Sequence, residues 1–244
     1  MTKIWYKVLV SLTRGTDMRL VLIQASGLAL LACLFTLPHF YHLIFGVTGR
    51  VSQVGYSNPW VLLFTQLFLL LIVSLSSATV GLSFLKKFDL PEIWNWNTFA
   101  HSIPLLLFLG AVMAFLSYFL FDRYFVEISP DSYPRGALYL ISFHFKNAFT
   151  DEIILRLCFL TICIGLLKNR IAAVILLSII ASLFSIKYFN FMGIEFTRVF
   201  IPHFALSFIG NLILGYVFVT RGLFCSMFLK LIYSTKYVIV ALSI

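Results

Sequence analysis

The sequence predicts an all-α, polytopic transmembrane bundle of about seven to eight membrane helices, and three observations carry that expectation. Of 244 residues, 61% are hydrophobic and 11% charged, against roughly 25% charged in soluble domains. The mean hydropathy is +1.01. Apolar stretches of about 18 residues or more recur along the chain, each long enough to cross ~30 Å of hydrocarbon. Backbone groups in lipid must be satisfied internally, and the ten-residue alternation of a barrel is missing, so helices are the spanning element. No repeat, low-complexity tract or soluble module breaks the pattern, and residues 1–244 read as one integral membrane domain.

Residues 1–20 place Lys3, Lys7 and Arg14 among Ile4, Trp5, Val8 and Leu9, which suits an interfacial amphipathic helix. They contain no uninterrupted apolar core followed by a small-residue cleavage site, so a cleavable signal is not expected. Spans are expected near 21–45, 60–84 and 103–121. The fourth, near 137–167, is too long for one upright helix at ~1.5 Å per residue, which predicts a tilt, a kink or two segments. The remaining spans fall near 171–189, 201–220 and 223–241. Trp60, Trp94, Trp96, Tyr41 and Tyr133 lie near span ends, where aromatic belts form.

Basic residues in the short connections set the orientation. With the N-terminus inside, Lys3, Lys7, Arg14, Arg19, Lys86, Lys87, Lys168, Arg170 and Arg221 face the cytoplasm. Arg50, Arg123, Arg135, Lys187, Arg198 and Lys236 then fall outside, with most of the acidic loop residues. That asymmetry predicts a multi-pass cell-membrane protein with a cytoplasmic N-terminus. The net charge of +9 comes with no basic patch or aromatic reader module, so nucleic acid is not an expected partner. Membrane lipids are, through their anionic headgroups. Cys33, Cys158, Cys163 and Cys225 sit in or beside spans; Cys158 and Cys163 point to different helix faces, so packing rather than metal binding is expected.

Asp151 and Glu152 open an Asp-Glu-Ile-Ile-Leu-Arg tract in the middle of the fourth apolar stretch. Two carboxylates and an arginine at that depth are costly unless they face each other or a watery cavity. Downstream, Ser182 to Tyr188 place Phe184 four residues before Tyr188, and Gly210, Gly215-Tyr216 and Thr220-Arg221-Gly222-Leu223 lead to Lys230 and Ser234. The order of these three regions, over roughly 137–235, resembles the CPBP family of CAAX endopeptidases and bacteriocin-processing intramembrane proteases. Its first motif is two acids, three variable residues and arginine, here with aspartate first and Leu157 where a glycine usually follows. Its second motif has histidine where this chain has Tyr188. Its third has histidine and then asparagine or aspartate, where this chain has Lys230 and Ser234.

The resemblance implies a water activated by Glu152 for attack on a peptide bond within the membrane, with Asp151 and Arg156 beside it. A carboxylate works as a base there only with neutral donors to stabilise the oxyanion. Tyr188 donates a hydrogen bond but does not shuttle protons near neutral pH as imidazole does. Lys230 brings a cation, and an ionic lock between Lys230 and the carboxylates is expected. No His-based metal site and no cofactor are implied. His203, after Pro202, and His144, about 20° from the helical face of Asp151, are candidate replacement histidines.

Plainer readings accompany each residue. Glu152 and Arg156 are i,i+4 neighbours and suit a helix-borne ion pair. Ser226, Lys230 and Ser234 recur every four residues, as a serine activated by lysine or as a polar seam bonded to a neighbouring helix. His39, His42 and His101 lie near span ends, and Lys146 is expected to snorkel or pair. Two functions follow: an intramembrane peptidase acting on a hydrophobic or lipid-modified peptide, with an impaired centre, or a non-catalytic relative binding a peptide or another membrane protein, of immunity or scaffold type. A small transporter is a third, without the paired broken helices that would favour it.

Overall fold

A computed structural model gives the architecture, describing residues 17–45, 58–128, 133, 136–191 and 196–243, with the side chains of 128, 186–200 and 243 outside it. The interfacial helix expected over 1–20 lies outside the described residues up to position 16. The elements are α1 (Met18–Phe45), α2 (Pro59–Lys87), α3 (Trp96–Ser117), a π segment (Tyr118–Asp122) and α4 (Arg123–Ile128). They continue with α5 (Ala137–Glu152), a second π segment (Ile153–Leu160), α6 (Thr161–Leu167), α7 (Arg170–Phe191), α8 (Phe196–Arg221), α9 (Leu223–Tyr233) and α10 (Lys236–Ser243). The fold is all-α. Among the described residues, five helical stretches are long and apolar enough to cross a membrane: Met18–Phe45, Pro59–Lys87, Trp96–Glu127, Ile201–Arg221 and Leu223–Leu242. Arg170–Ser185, the part of α7 whose side chains are described, is also apolar, and 137–167 carries Lys146, Asp151, Glu152 and Arg156 within it.

Local chemistry sets the helix ends. Asp17 accepts from the backbone of Arg19, and Asn58 from Trp60 with Pro59 at the first helical position. Asn95 accepts from Thr98, and Asn169 from Ile171 and Ala172. Each satisfies amide groups that a helix start leaves without partners. Asn95 starts α3 ahead of the span expected from 103. Gly222 separates α8 from α9 at φ +93°, and a Cβ there would stand 2.6 Å from the Glu92 carbonyl oxygen. The positive φ and the close backbone both require glycine.

The helical run 137–167 is not divided into two segments. It stays continuous and widens into the second π segment directly after Glu152, with i→i+5 in place of i→i+4 bonds. That segment lies at the centre of the bundle, touching α2, α7, α8 and α9. Ile153, Leu157 and Leu160 are fully buried there, packed with Ala78, Leu82, Leu177 and Phe218. α2 fits against it through Gly81, where a Cβ would meet the Leu157 carbonyl oxygen and stand 2.5 Å from Leu157 Cγ. A smaller core joins α3 to α8 and α9 through Leu106, Met113, Leu214 and Leu229.

The connections after α2, α6 and α8 meet at one end of the bundle. Arg170 donates to the carbonyls of Phe88 and Asp89 at 2.8 and 2.7 Å, and Gly222 abuts Glu92. Large apolar side chains such as Ile23, Leu30 and Leu34 on α1 and Phe64 and Phe68 on α2 point outward, the arrangement of a bundle in contact with lipid. Trp60, Trp94 and Trp96 are exposed near helix starts, where aromatic belts sit.

Candidate functional site

Glu152 is the last residue of α5, and Arg156 lies one turn on, inside the π segment. They are 0% and 1% exposed, with Asp122 at 1% the most deeply buried charges in the described bundle. Arg156 Nε stands 3.8 Å from Glu152 Oε2, a contact of charges longer than a hydrogen bond. Among the described residues neither oxygen of Glu152 accepts a hydrogen bond, and Arg156 Nε makes none. Their helix-borne pairing is therefore electrostatic, in a medium that screens it little.

The other end of the guanidinium is held more firmly. Arg156 Nη2 donates to Asn211 Oδ1 at 2.6 Å. Asn211 Nδ2 in turn donates to the Ser207 carbonyl at 2.8 Å and to Ser207 Oγ at 3.3 Å. Ser185 Oγ is 3.5 Å from Ser207 Oγ, and His203 Nε2 is 3.1 Å from Ser185 Oγ. A polar seam thus runs from α5 across α8 to α7. Asn211, Ser207 and Ser185 were not among the residues expected here. Asn211 had a signal, an amide among Leu212, Ile213 and Leu214 in a membrane-length helix, which needs a partner.

The expected site residues other than Tyr188 have definite places. Asp151 is half-buried, with no ion pair within 4 Å among the described residues. The side chain of Tyr188 lies outside the described residues. Lys230 does not lock the carboxylates: no carboxylate lies within 4 Å of it among the described residues, and Nζ sits 5.5 Å from the Tyr233 ring centroid. The helix face turns it toward an aromatic ring of the same helix, a cation–π contact. The expected seam along α9 is also corrected. Ser226 Oγ donates to the Leu223 carbonyl at 2.9 Å and Ser234 Oγ to the Lys230 carbonyl at 2.9 Å. Both bond back to their own helix, as short hydroxyl side chains readily do, and no bond from either to a neighbouring helix or to a lysine side chain forms among the described residues. His144 Nδ1 pairs with the Leu140 carbonyl at 2.7 Å, and its ring stands 6.0 Å from that of Tyr237 rather than on the carboxylates. His203 joins the seam and also packs on Phe121, ring centroids 4.8 Å apart.

A second polar centre lies where the first π segment meets α10. Lys236 Nζ is 3.1 Å from Asp122 Oδ2 and donates to Ser117 Oγ at 2.8 Å. Ser117 donates to Asp122 Oδ2 at 2.7 Å, and Tyr133 to Asp122 Oδ1 at 2.8 Å. Burial, then the neighbouring carboxylate, pushes the Tyr133 phenol well above its usual range, so it stays a donor. This centre is fully partnered, which marks it as a structural clasp. Among the described residues no cluster of three or more metal-ligating side chains forms, and all four cysteines are free. No family model, curated protein or solved structure matches the chain.

Proposed function

We propose that the protein is a CPBP-like intramembrane protease homologue with an impaired centre, which holds a hydrophobic peptide or membrane-protein segment in its polar interior rather than cleaving it. The runs 137–167 and 170–191 are read as spans six and seven beside the five apolar ones. The N-terminus is read as cytoplasmic, because Lys86, Lys87, Lys168, Arg170 and Arg221 belong to the end where the connections after α2, α6 and α8 meet.

The reading rests on one observation: Glu152 is wholly enclosed, with Arg156 beside it and, among the described residues, no hydrogen-bond donor on either oxygen. Glutamate-assisted hydrolysis needs a water within reach of the base and a donor aimed at the developing oxyanion. Here the guanidinium faces the base itself, and His203 is engaged with Ser185. The test is purified protein in detergent with a library of hydrophobic and prenylated peptides, comparing wild type with Glu152→Ala. The expected result is no cleavage that depends on Glu152, with photo-crosslinking of an uncleaved peptide to α5 or α9. Glu152-dependent turnover would establish a working peptidase instead.

A further inference from the structure

The seam between α1 and α5 carries a second, unassigned cluster. The two helices run antiparallel: Thr36 and Thr150 hydroxyls meet at 3.0 Å, Phe35 stacks on Phe145 at 4.8 Å, and His39 stacks on Tyr139 at 5.2 Å. His42 lies face to face with Tyr139 at 4.2 Å. Phe143 is shared, with the His39 ring 5.5 Å away and Lys146 Nζ 5.8 Å from its centroid.

Three features of this cluster call for an anion. The ion pairs inside the described bundle use Arg156 and Lys236, so Lys146 has no carboxylate within 4 Å. Its one hydrogen bond among the described residues is a 3.4 Å contact with the neighbouring Asn147 amide oxygen. An ammonium in hydrocarbon with only a ring and an amide beside it is costly unless an anion or water meets it. Independently, His39 is 6% exposed and its Nδ1 has no hydrogen-bond partner among the described residues, although buried ring nitrogens ordinarily find one. Both groups flank the same phenylalanine ring.

The location identifies the anion. Helical side chains lean toward the N-terminus of their own helix, and Lys146 accordingly reaches back one turn toward Phe143. That is the end of the bundle where Phe45 and Tyr41 pack on the exposed Trp60, at 4.7 and 6.5 Å. Aromatic groups of this kind mark the headgroup level. Leu138 and Ile141, 65% and 55% exposed on α5, supply apolar surface beside it for acyl chains. Snorkelling lysines meet phosphates in this way.

We propose that the seam between α1 and α5 binds the phosphate of an anionic phospholipid, seated on the Lys146 ammonium and the imidazoles of His39 and His42. Native mass spectrometry of the purified full chain tests it, with phosphatidylglycerol or phosphatidylcholine added to the detergent. One phosphatidylglycerol is expected to remain bound, with phosphatidylcholine held less tightly because its choline brings a second cation. Lys146→Gln is expected to weaken retention at least tenfold, while Lys146→Arg, which keeps the cation, retains the lipid. Equal retention by wild type and Lys146→Gln, or a wild type that keeps no lipid, overturns the site. Displacement of the lipid by inorganic phosphate at equal concentration would assign the site to a free anion and overturn the lipid.

Discussion

Lys236 and Asp122 form the shortest ion pair of the described bundle, 3.1 Å from Nζ to Oδ2 although 114 residues separate them in sequence. The pair ties α10 to the first π segment, with Ser117 bridging both charges. Removing one partner of a buried pair leaves the other charge uncompensated and typically costs ~3–5 kcal/mol. Lys236→Met should therefore lower the thermal midpoint in detergent clearly, and adding Asp122→Asn should recover part of the loss. A double-mutant cycle reads the coupling directly. Additive losses would show that the two side chains stabilise their helices separately.

Lys230 makes the contrasting case. Its ammonium rests over Tyr233 rather than on Glu152, so a cation–π contact of about 0.5–2 kcal/mol is what it contributes. Lys230→Met and Glu152→Gln should lower stability independently, with a coupling below ~0.5 kcal/mol. A larger coupling in the same unfolding assay would restore the ionic lock that the sequence suggested.

The buried carboxylate of Asp122 also depends on Tyr133. A hydrogen bond to a charged group contributes roughly 1.5–3 kcal/mol, so Tyr133→Phe should destabilise by about that much. The phenol is raised in the folded state, so this contribution is complete below the ordinary tyrosine range near pH ~10. It is lost only as pH rises beyond that range, because the unfolded chain then ionises first. The wild-type and Tyr133→Phe unfolding curves should stay equally separated from pH 6 to pH 9. A gap that closes within that window would mean that the donor is not Tyr133.

Much of the fold was legible because its signals are local. Length and hydropathy mark α1, α2, α8 and α9. The excess length of 137–167 signalled an irregularity, but nothing in Ile153 to Leu160 distinguishes a π from an α segment, since apolar residues suit both. The Glu152–Arg156 contact was legible from its i,i+4 spacing. The hydrogen-bond partner of Arg156 was not: Asn211 meets it, and Ser207 and Ser185 extend the seam, only through the crossing of α7 and α8. Asp122 and Lys236 each sit near a helix end, where a single charge is ordinary, so only the fold reveals that they meet. Lys230 misled because its place on the chain was read without the helix rotation that turns it to Tyr233.

Sidedness can be read by labelling. In a background lacking Cys33, Cys158, Cys163 and Cys225, a cysteine in place of exposed Lys168, beside Arg170, should react with an impermeant maleimide only from the cytoplasm. A cysteine replacing the exposed Glu127 should react only from outside. The opposite pattern would invert the bundle in the membrane and leave its packing unchanged.

The final expectation concerns the close approach that centres the candidate site. α2 lies against the second π segment at Gly81, and an added Cβ would meet the Leu157 carbonyl oxygen and Leu157 Cγ. Main-chain atoms cannot swing aside as a side chain can, so Gly81→Ala must push α2 and the π segment apart. Overpacking of this kind costs typically ~1–3 kcal/mol. It should also loosen the bundle around Glu152, since the π segment begins at the next residue. Gly27, which has nothing within 4 Å of an added Cβ, serves as the control: Gly27→Ala should be neutral or slightly stabilising through helix propensity. Thermal unfolding of both variants, with amide exchange across 149–160, tests the pair of effects together. A Gly81→Ala protein as stable as Gly27→Ala, with unchanged exchange, would mean that α2 does not press on the π segment.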